Sequence, residues 1–197
     1  MKLVILSAGM GTRIDRETPK SMLRVGGETI AERLIRQSGI ADVVMVVGYR
    51  AEFVMRFFSD RAMFVYNPYW DITNSVGSLR MAGALYEGPA VIAYGDTVVT
   101  ENDMLNIVHG DCNRIGILDT GSGVGLVKDG NVVRVKRVGD FVFAGVAKVS
   151  DITGFIGSAQ DSKPVGSCVS GCMWHEMDSI NVNTESDFRR AVSWTRL

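Results

Sequence analysis

Leu3-Val4-Ile5-Leu6-Ser7-Ala8-Gly9-Met10-Gly11-Thr12-Arg13 is the stretch on which the fold turns. Leu3 to Leu6 is an unbroken apolar run with β-branched members, the pattern of a central strand buried on both faces. Two glycines follow at once. Glycine lets the backbone approach a polyphosphate closely, and the exposed N–H groups can surround its oxygens. Arg13 adds a planar fork for phosphate, and Lys20, after Pro19, a compact charge on what reads as a solvent-facing loop. Such a loop belongs at the carboxyl end of a strand, where open α/β sheets bind ligands. Two other phosphate-binding readings fail. A Walker loop ends in Gly-Lys-Ser/Thr, and Arg13-Ile14 does not; the dinucleotide fingerprint needs glycine at the position of Ile14.

Outward from this stretch, strand and helix patterns alternate. Ile30, Leu34 and Ile35 share a helical face that Gly39 is placed to end, and Val43 to Val47 is a second buried strand. Phe53, Val54, Phe57 and Phe58 predict another helix, Met63 to Tyr66 a strand, Leu79, Met81, Ala82 and Leu85 a third helix, and Val91 to Tyr94 a further strand. This alternation means parallel strands joined by helical crossovers. The later half differs. Asp129-Gly130, between Val124–Lys128 and Val132–Lys136, reads as a hairpin turn; Phe141 to Val149 reads as a long strand and Ser186 to Trp194 as a closing helix. Residues 157–173, rich in Gly, Ser and Cys, read as a loop or flap. The expectation is a single α/β domain over residues 1–197, with three layers, a mixed and mainly parallel sheet, and a β-hairpin insertion near the active edge.

The 197 residues suffice for one full-sized core, and a net charge of -1 gives no basic field to gather nucleic acid or an anionic membrane. Phosphate chemistry must then come from a local site. Lys2 precedes an apolar run as in a leader peptide, but the run is short and meets no small-residue cleavage site. Three cysteines, an odd number, point to a reducing compartment, and the expectation is a cytoplasmic chain.

Leu6 to Arg13, followed by Thr18-Pro19-Lys20-Ser21-Met22-Leu23, resembles the opening of the sugar-phosphate nucleotidyltransferase family, Leu-Ala-Ala-Gly-x-Gly-Thr-Arg and then Pro-Lys. Ser7 for the common Ala is a mild departure. The resemblance implies a Rossmann-like, glycosyltransferase-A-like fold. It also implies that Ala8, Gly9, Gly11 and Thr12 bind the triphosphate while Arg13 and Lys20 neutralise it and act catalytically. Val47-Gly48-Tyr49 resembles the family's Gly-Tyr loop along the nucleotide. Tyr66 to Leu79, with Asn67, Asn74 and Ser78, is similar to the phosphocholine-type and related alcohol-phosphate cytidylyltransferases, which implies CTP as donor with Asn74 and Ser78 near the base. Read as structure alone, Asn74 or Ser75 would cap a helix.

Phosphoryl transfer needs a divalent cation, and a hard carboxylate at a strand end, Asp96, suits Mg2+; Asp96 could equally cap a turn, and the resemblance, whose metal-binding Asp follows a strand in the same way, implies the metal. The family's second metal position implies Asn183, in Ile180 to Phe188, as the other ligand; Asn183 or Thr184 could equally be a helix cap. Trp174, Glu176 and Asp178 offer a ring face and opposite charge to a cationic acceptor head group, or equally Trp174 belongs to the core with the two acids exposed beside it. Lys136, Arg137 and Lys148 are candidates to grip an acceptor phosphate. Cys168, Cys172 and His175, with His109 and Cys112, form a competing zinc constellation, although no Cys-x-x-Cys pair occurs. The reading is a Mg2+-dependent nucleotidyltransferase that joins CMP to a small phosphorylated alcohol, sugar or phosphonate. A non-catalytic nucleotide-binding regulatory module is the alternative, and a dimer remains open.

Overall fold

The computed structural model describes residues 1–11, 13–14, 17–111, 113–119 and 125–195. Thr12 of the glycine loop, Cys112 of the zinc constellation and Val124 of the expected hairpin lie outside these. β1 (Lys2–Ser7) leads through the loop and a 3-10 turn (Lys20–Met22) to β2 (Arg24–Val25), β3 (Glu28–Thr29) and α1 (Ile30–Ser38). β4 (Val43–Val47), α2 (Ala51–Phe57), β5 (Met63–Tyr66), α3 (Ser75–Gly83) and β6 (Ala90–Tyr94) complete the alternating half. Then come β7 (Thr97–Val99), α4 (Glu101–His109), β8 (Arg114–Asp119), β9 (Leu126–Asp129), β10 (Val132–Val135) and β11 (Phe141–Val149). α5 (Ile152–Ile156), β12 (Met173–Glu176), β13 (Ser179–Asn181) and α6 (Glu185–Trp194) close the described chain.

Among the described residues, nine strands form one mixed sheet in the order β5-β4-β1-β6-β11-β8-β12-β10-β9. β5, β4, β1 and β6 run parallel. At β6 the sense changes, because β11 lies antiparallel to both β6 and β8. β12 returns parallel to β8, and β9 and β10 form the expected hairpin at the far edge. Its two turn residues are Gly130 and Asn131, one position beyond the sequence reading, since Asp129 pairs with Val132. Gly130, at φ 60°, supplies the left-handed conformation that a tight hairpin turn requires.

Leu3, Val4 and Ile5 have no exposed surface, as a strand covered on both faces must. Leu3 and Ile5 join the core beneath α1, α4 and α6; Val4 and Leu6 join the core beneath α3 and α5. Fully burying one such side chain contributes about 1.5–3 kcal/mol, so this strand anchors both layers. α1 starts on a reciprocal cap: Thr29 Oγ1 accepts from the Glu32 amide at 3.1 Å, and the Glu32 carboxylate accepts from the Thr29 amide at 2.9 Å. Gly39, left-handed at φ 63°, ends the helix where the sequence predicts. Leu85 departs from expectation: α3 stops at Gly83, and Leu85 is left 73% exposed.

The stretch expected as a flap is strapped down on α3. Asn74 and Val76 donate their amides to the carbonyls of Asp161 and Lys163, and Arg80 pairs with Asp161 at 2.7 Å. Val165 and Val169 are wholly buried beneath it. Among the described residues no helix is long and apolar enough to cross a membrane.

Candidate functional site

A cleft of about 480 Å3 opens at the carboxyl ends of β1 and β6. One wall is the glycine loop. Gly11 adopts φ 69°, and a Cβ there would stand 2.6 Å from Lys20 Cε, so only glycine lets the lysine stem lie across the loop. Lys20 is therefore not solvent-facing, as the sequence suggested; its side chain is only 12% exposed. Its ammonium reaches Asp96 Oδ2 at 2.8 Å and Asn183 Oδ1 at 2.7 Å, and Arg13 Nη2 donates to the same Asn183 oxygen at 3.0 Å.

These four side chains meet for separate local reasons. Asp96 follows β6, and Gly95 ties that turn to β1 by donating its amide to Leu6 O at 2.9 Å. The Asp96 carbonyl accepts from Val182 at 2.8 Å, which draws the 181–183 segment alongside. Asn183 is not a helix cap. Thr184 takes that role for α6, accepting from the Asp187 amide, while the Asp187 carboxylate accepts from the amides of Asn183 and Thr184. The Asn183 side chain is thereby left to face the cations. Burial pushes the Asp187 carboxyl up, but the Thr184 hydroxyl and the two amides outweigh it and hold it below the ordinary carboxylate value. The sign follows: the cap contributes at neutral pH and is lost as falling pH protonates the folded carboxylate. Thr184→Ala should cost about 1 kcal/mol, read as a lower midpoint in urea titration; an unchanged midpoint would show that the cap carries no such weight.

The opposite wall comes from the start of α3. Asn74 caps the helix by accepting from Ser75 N at 2.7 Å, and it also lines the cleft. Ser78 lines it too, its hydroxyl accepting from the wholly buried Asn67 side chain at 3.1 Å. Asn67 donates as well to Thr73 Oγ1 at 3.0 Å, so one buried amide holds this wall in place. Tyr94 closes the base, its phenol 3.0 Å from Ser75 Oγ; burial pushes its pKa up to about 12, so the phenol stays protonated.

Of the residues singled out in the sequence, Ala8, Gly9, Gly11, Arg13, Lys20, Asn74, Ser78, Asp96 and Asn183 line this cleft. Gly48 and Tyr49 stand behind it. A Cβ on Gly48 would meet Ala8 O at 2.7 Å, and Tyr49 N donates to that same oxygen. Trp174, Glu176, Asp178 and Lys148 lie elsewhere. Lys148 donates to the carbonyls of Val108 and Gly110 at 3.0 and 2.6 Å, so it closes the end of α4 rather than gripping an acceptor. Glu176 and Asp178 border a separate hollow of about 230 Å3, and the Trp174 indole donates to Gly130 O. Thr73, Tyr94 and Asn181 line the cleft without having been singled out. Asn181 carried a signal, since it stands two residues before Asn183, at the end of β13.

Among the described residues no group of three or more His, Cys, Asp and Glu side chains could hold a metal. His175 Nε2 bonds to Asp103 at 2.9 Å, whereas Cys168 and Cys172 pack into the core on the α3 side. Burial pushes the Cys172 thiol up to about 11, which leaves it an unreactive apolar filler at neutral pH. The donor set beside Lys20 is different. Two hard oxygens, one anionic, already converge on a single cationic atom, which is chemistry that suits Mg2+.

Residues 3–116 match the family model of the MobA-like NTP transferase domain. A 120-residue stretch, 58% of this chain, is 31% identical to the bifunctional protein GlmU of Methanococcus aeolicus and spans 29% of that protein's length. The solved CTP:phosphocholine cytidylyltransferase LicC of Streptococcus pneumoniae superposes with a TM-score of 0.77 over 98% of both chains, at 18% identity. The inositol-1-phosphate CTP transferase from T. maritima does so at 0.72, over 99% of this chain and 96% of that one, at 14% identity. At such identities the two structures establish a shared fold. The family match runs from the first buried strand past the Asp96 turn, over more than half the chain, and by it this protein belongs to the MobA-like NTP transferase family.

Proposed function

We propose that this chain is a Mg2+-dependent nucleotidyltransferase that transfers CMP from CTP to a small phosphorylated acceptor and releases pyrophosphate. The observation that carries the reading is the meeting of Arg13, Lys20, Asp96 and Asn183 at one point of the cleft. Asp96 and Asn183 would hold Mg2+, which when bound screens the α-phosphate and the departing pyrophosphate. The glycine loop offers backbone amides to the triphosphate, and Arg13 and Lys20 neutralise the charge that grows on it. The acceptor's phosphate or phosphonate oxygen attacks the α-phosphorus in line. No general base is needed, because that oxygen is already anionic at neutral pH.

The wall built by Asn74, Ser78 and the buried Asn67 supports a base pocket, and the CTP-using enzymes among the structural neighbours make cytosine the base to test first. Cytosine and uracil differ in hydrogen-bond polarity at one edge, a difference worth a large factor when the unpaired group is buried. Calorimetric titration with the four triphosphates in magnesium should give CTP the tightest binding, with Ser78→Ala narrowing its lead. Tighter binding of UTP, dTTP or a purine triphosphate would defeat the cytidylyl assignment alone. A pyrophosphate-release screen, crossing triphosphates with sugar phosphates, phosphocholine, inositol phosphate and small phosphonates, tests the reaction itself. Triphosphate binding with no release from any pair would favour the non-catalytic module.

A further inference from the structure

Lys128, on β9, ends in an unusual setting. Its ammonium stands 4.2 Å from the Phe141 ring centroid and 4.1 Å from that of Trp174, with Glu176 Oε2 at 2.6 Å. The Trp174 ring is itself fixed, because its indole nitrogen donates to Gly130 O at 3.0 Å in the hairpin turn. Two aromatic faces and a carboxylate around one cation is the arrangement by which proteins take up quaternary ammonium groups. Here the cation belongs to the chain. We infer that Lys128 occupies an aromatic cation box beside the cleft and so excludes acceptors that carry a quaternary ammonium group.

The position of the box gives this its bearing on specificity. The walls assigned to the nucleotide come from the loop after β1 and from the start of α3. Across β6 from β1, the sheet continues into β11, β8, β12 and the hairpin. The Phe143 ring on β11 meets the Tyr94 ring edge-on, with centroids 5.4 Å apart, and Tyr94 lines the cleft. Phe141 lies two residues along the same strand face, a step of about 7 Å, so the box stands outside the cleft lining on the strands that continue the sheet past it, the side that the proposed function leaves for the acceptor. A second cation entering it meets the charge of Lys128, and Glu176 is already paired. An acceptor that is neutral or anionic beyond its phosphate meets neither obstacle. That the acceptor lies on this side rests on the nucleotidyltransferase reading; the filling of the box by Lys128 does not.

Calorimetric titration of the full chain with tetramethylammonium chloride, against sodium chloride at equal ionic strength, tests the box without any turnover. The wild-type chain should show no saturable binding. Lys128→Met, which keeps the apolar stem and removes the charge, should bind saturably in the millimolar range, and Trp174→Leu added to it should abolish that binding. Lys128→Gln repeats the comparison with a polar neutral side chain. Saturable binding by the wild type, or none by either folded Lys128 variant, overturns the inference. In the pyrophosphate-release assay, Lys128→Met should raise the rate with phosphocholine at least tenfold relative to a sugar phosphate, and an unchanged ratio would overturn the exclusion of such acceptors. Release with no acceptor at all, alongside the expected calorimetry, would count against the nucleotidyltransferase reading while leaving the box intact.

Discussion

A Lys20→Met chain is expected to lose turnover by about a hundred- to a thousandfold and, at the same time, to bind a free divalent ion more tightly than the wild type. The first effect follows from removing a charge placed against the triphosphate. The second follows from where that charge now sits. Lys20 Nζ holds Asp96 Oδ2 and Asn183 Oδ1 at 2.8 and 2.7 Å, so a free metal ion must displace it, with Arg13 adding a further positive charge beside Asn183. A bound triphosphate offers Lys20 other partners and brings negative charge, so metal and nucleotide should each strengthen the binding of the other. Methionine retains the stem that packs over Gly11 and removes the competing cation. Titration with Mn2+, followed by electron paramagnetic resonance with and without CTP, measures this directly. The wild type should show weak binding alone and strong binding with CTP, and the variant should narrow that gap. Equal Mn2+ affinity in the two chains would remove Lys20 from any competition for the site.

Asp96→Asn should raise the magnesium concentration needed for half-maximal turnover at least tenfold, because it removes the carboxylate from a pair whose other member, Asn183, is already neutral. Lys20 would lose its ion-pair partner as well, with both side chains only 12% and 22% exposed. Turnover should therefore remain below wild type even at saturating magnesium. Asn183→Asp moves the other way. A second carboxylate beside Lys20 and Arg13 adds charge to the metal position, and the magnesium requirement should fall. An unchanged magnesium titration in Asp96→Asn would place the metal elsewhere and dismantle the assignment of both ligands.

The alternating half of the fold was legible because its signals are local and repeated. Val43 to Val47 and Met63 to Tyr66 match β4 and β5 residue for residue, since a short unbroken apolar run that stops at a glycine or a polar residue has few other uses. α4 passed unseen although Met104, Ile107 and Val108 hold helical spacing and Thr100 caps it on Asp103; three buried positions in nine residues give a weak period. β12 and β13 are three or four residues each, and they exist through pairing with β8 and β7, long-range partners that no local window contains. In the cleft, the glycine loop and Asp96 were readable as strand-end residues. The sequence reading gives Trp174, Glu176 and Asp178 to a cationic acceptor head group; in the fold Trp174 and Glu176 surround the chain's own Lys128, 46 residues from Trp174 on another strand, which no local window contains. The role of Lys148 had no sequence signature, because it depends on the end of α4 lying beside β11.

The change from parallel to antiparallel pairing at β6 and β11 bears on how such a protein can diversify. Strands on one side of that ladder carry the glycine loop and α3, whereas those on the other carry Phe141, Trp174 and the hairpin. Mutations that reshape the hairpin side leave the β1 loop and its glycine geometry untouched. Under the proposed function, a lineage then trades one acceptor for another by remodelling β9, β10 and β12 while the loop after β1 is inherited unchanged. Under that function, exchanging the hairpin, Leu126–Asp129 and Val132–Val135, between relatives leaves the β6–β11 ladder intact and shows whether acceptor choice moves with that edge of the sheet.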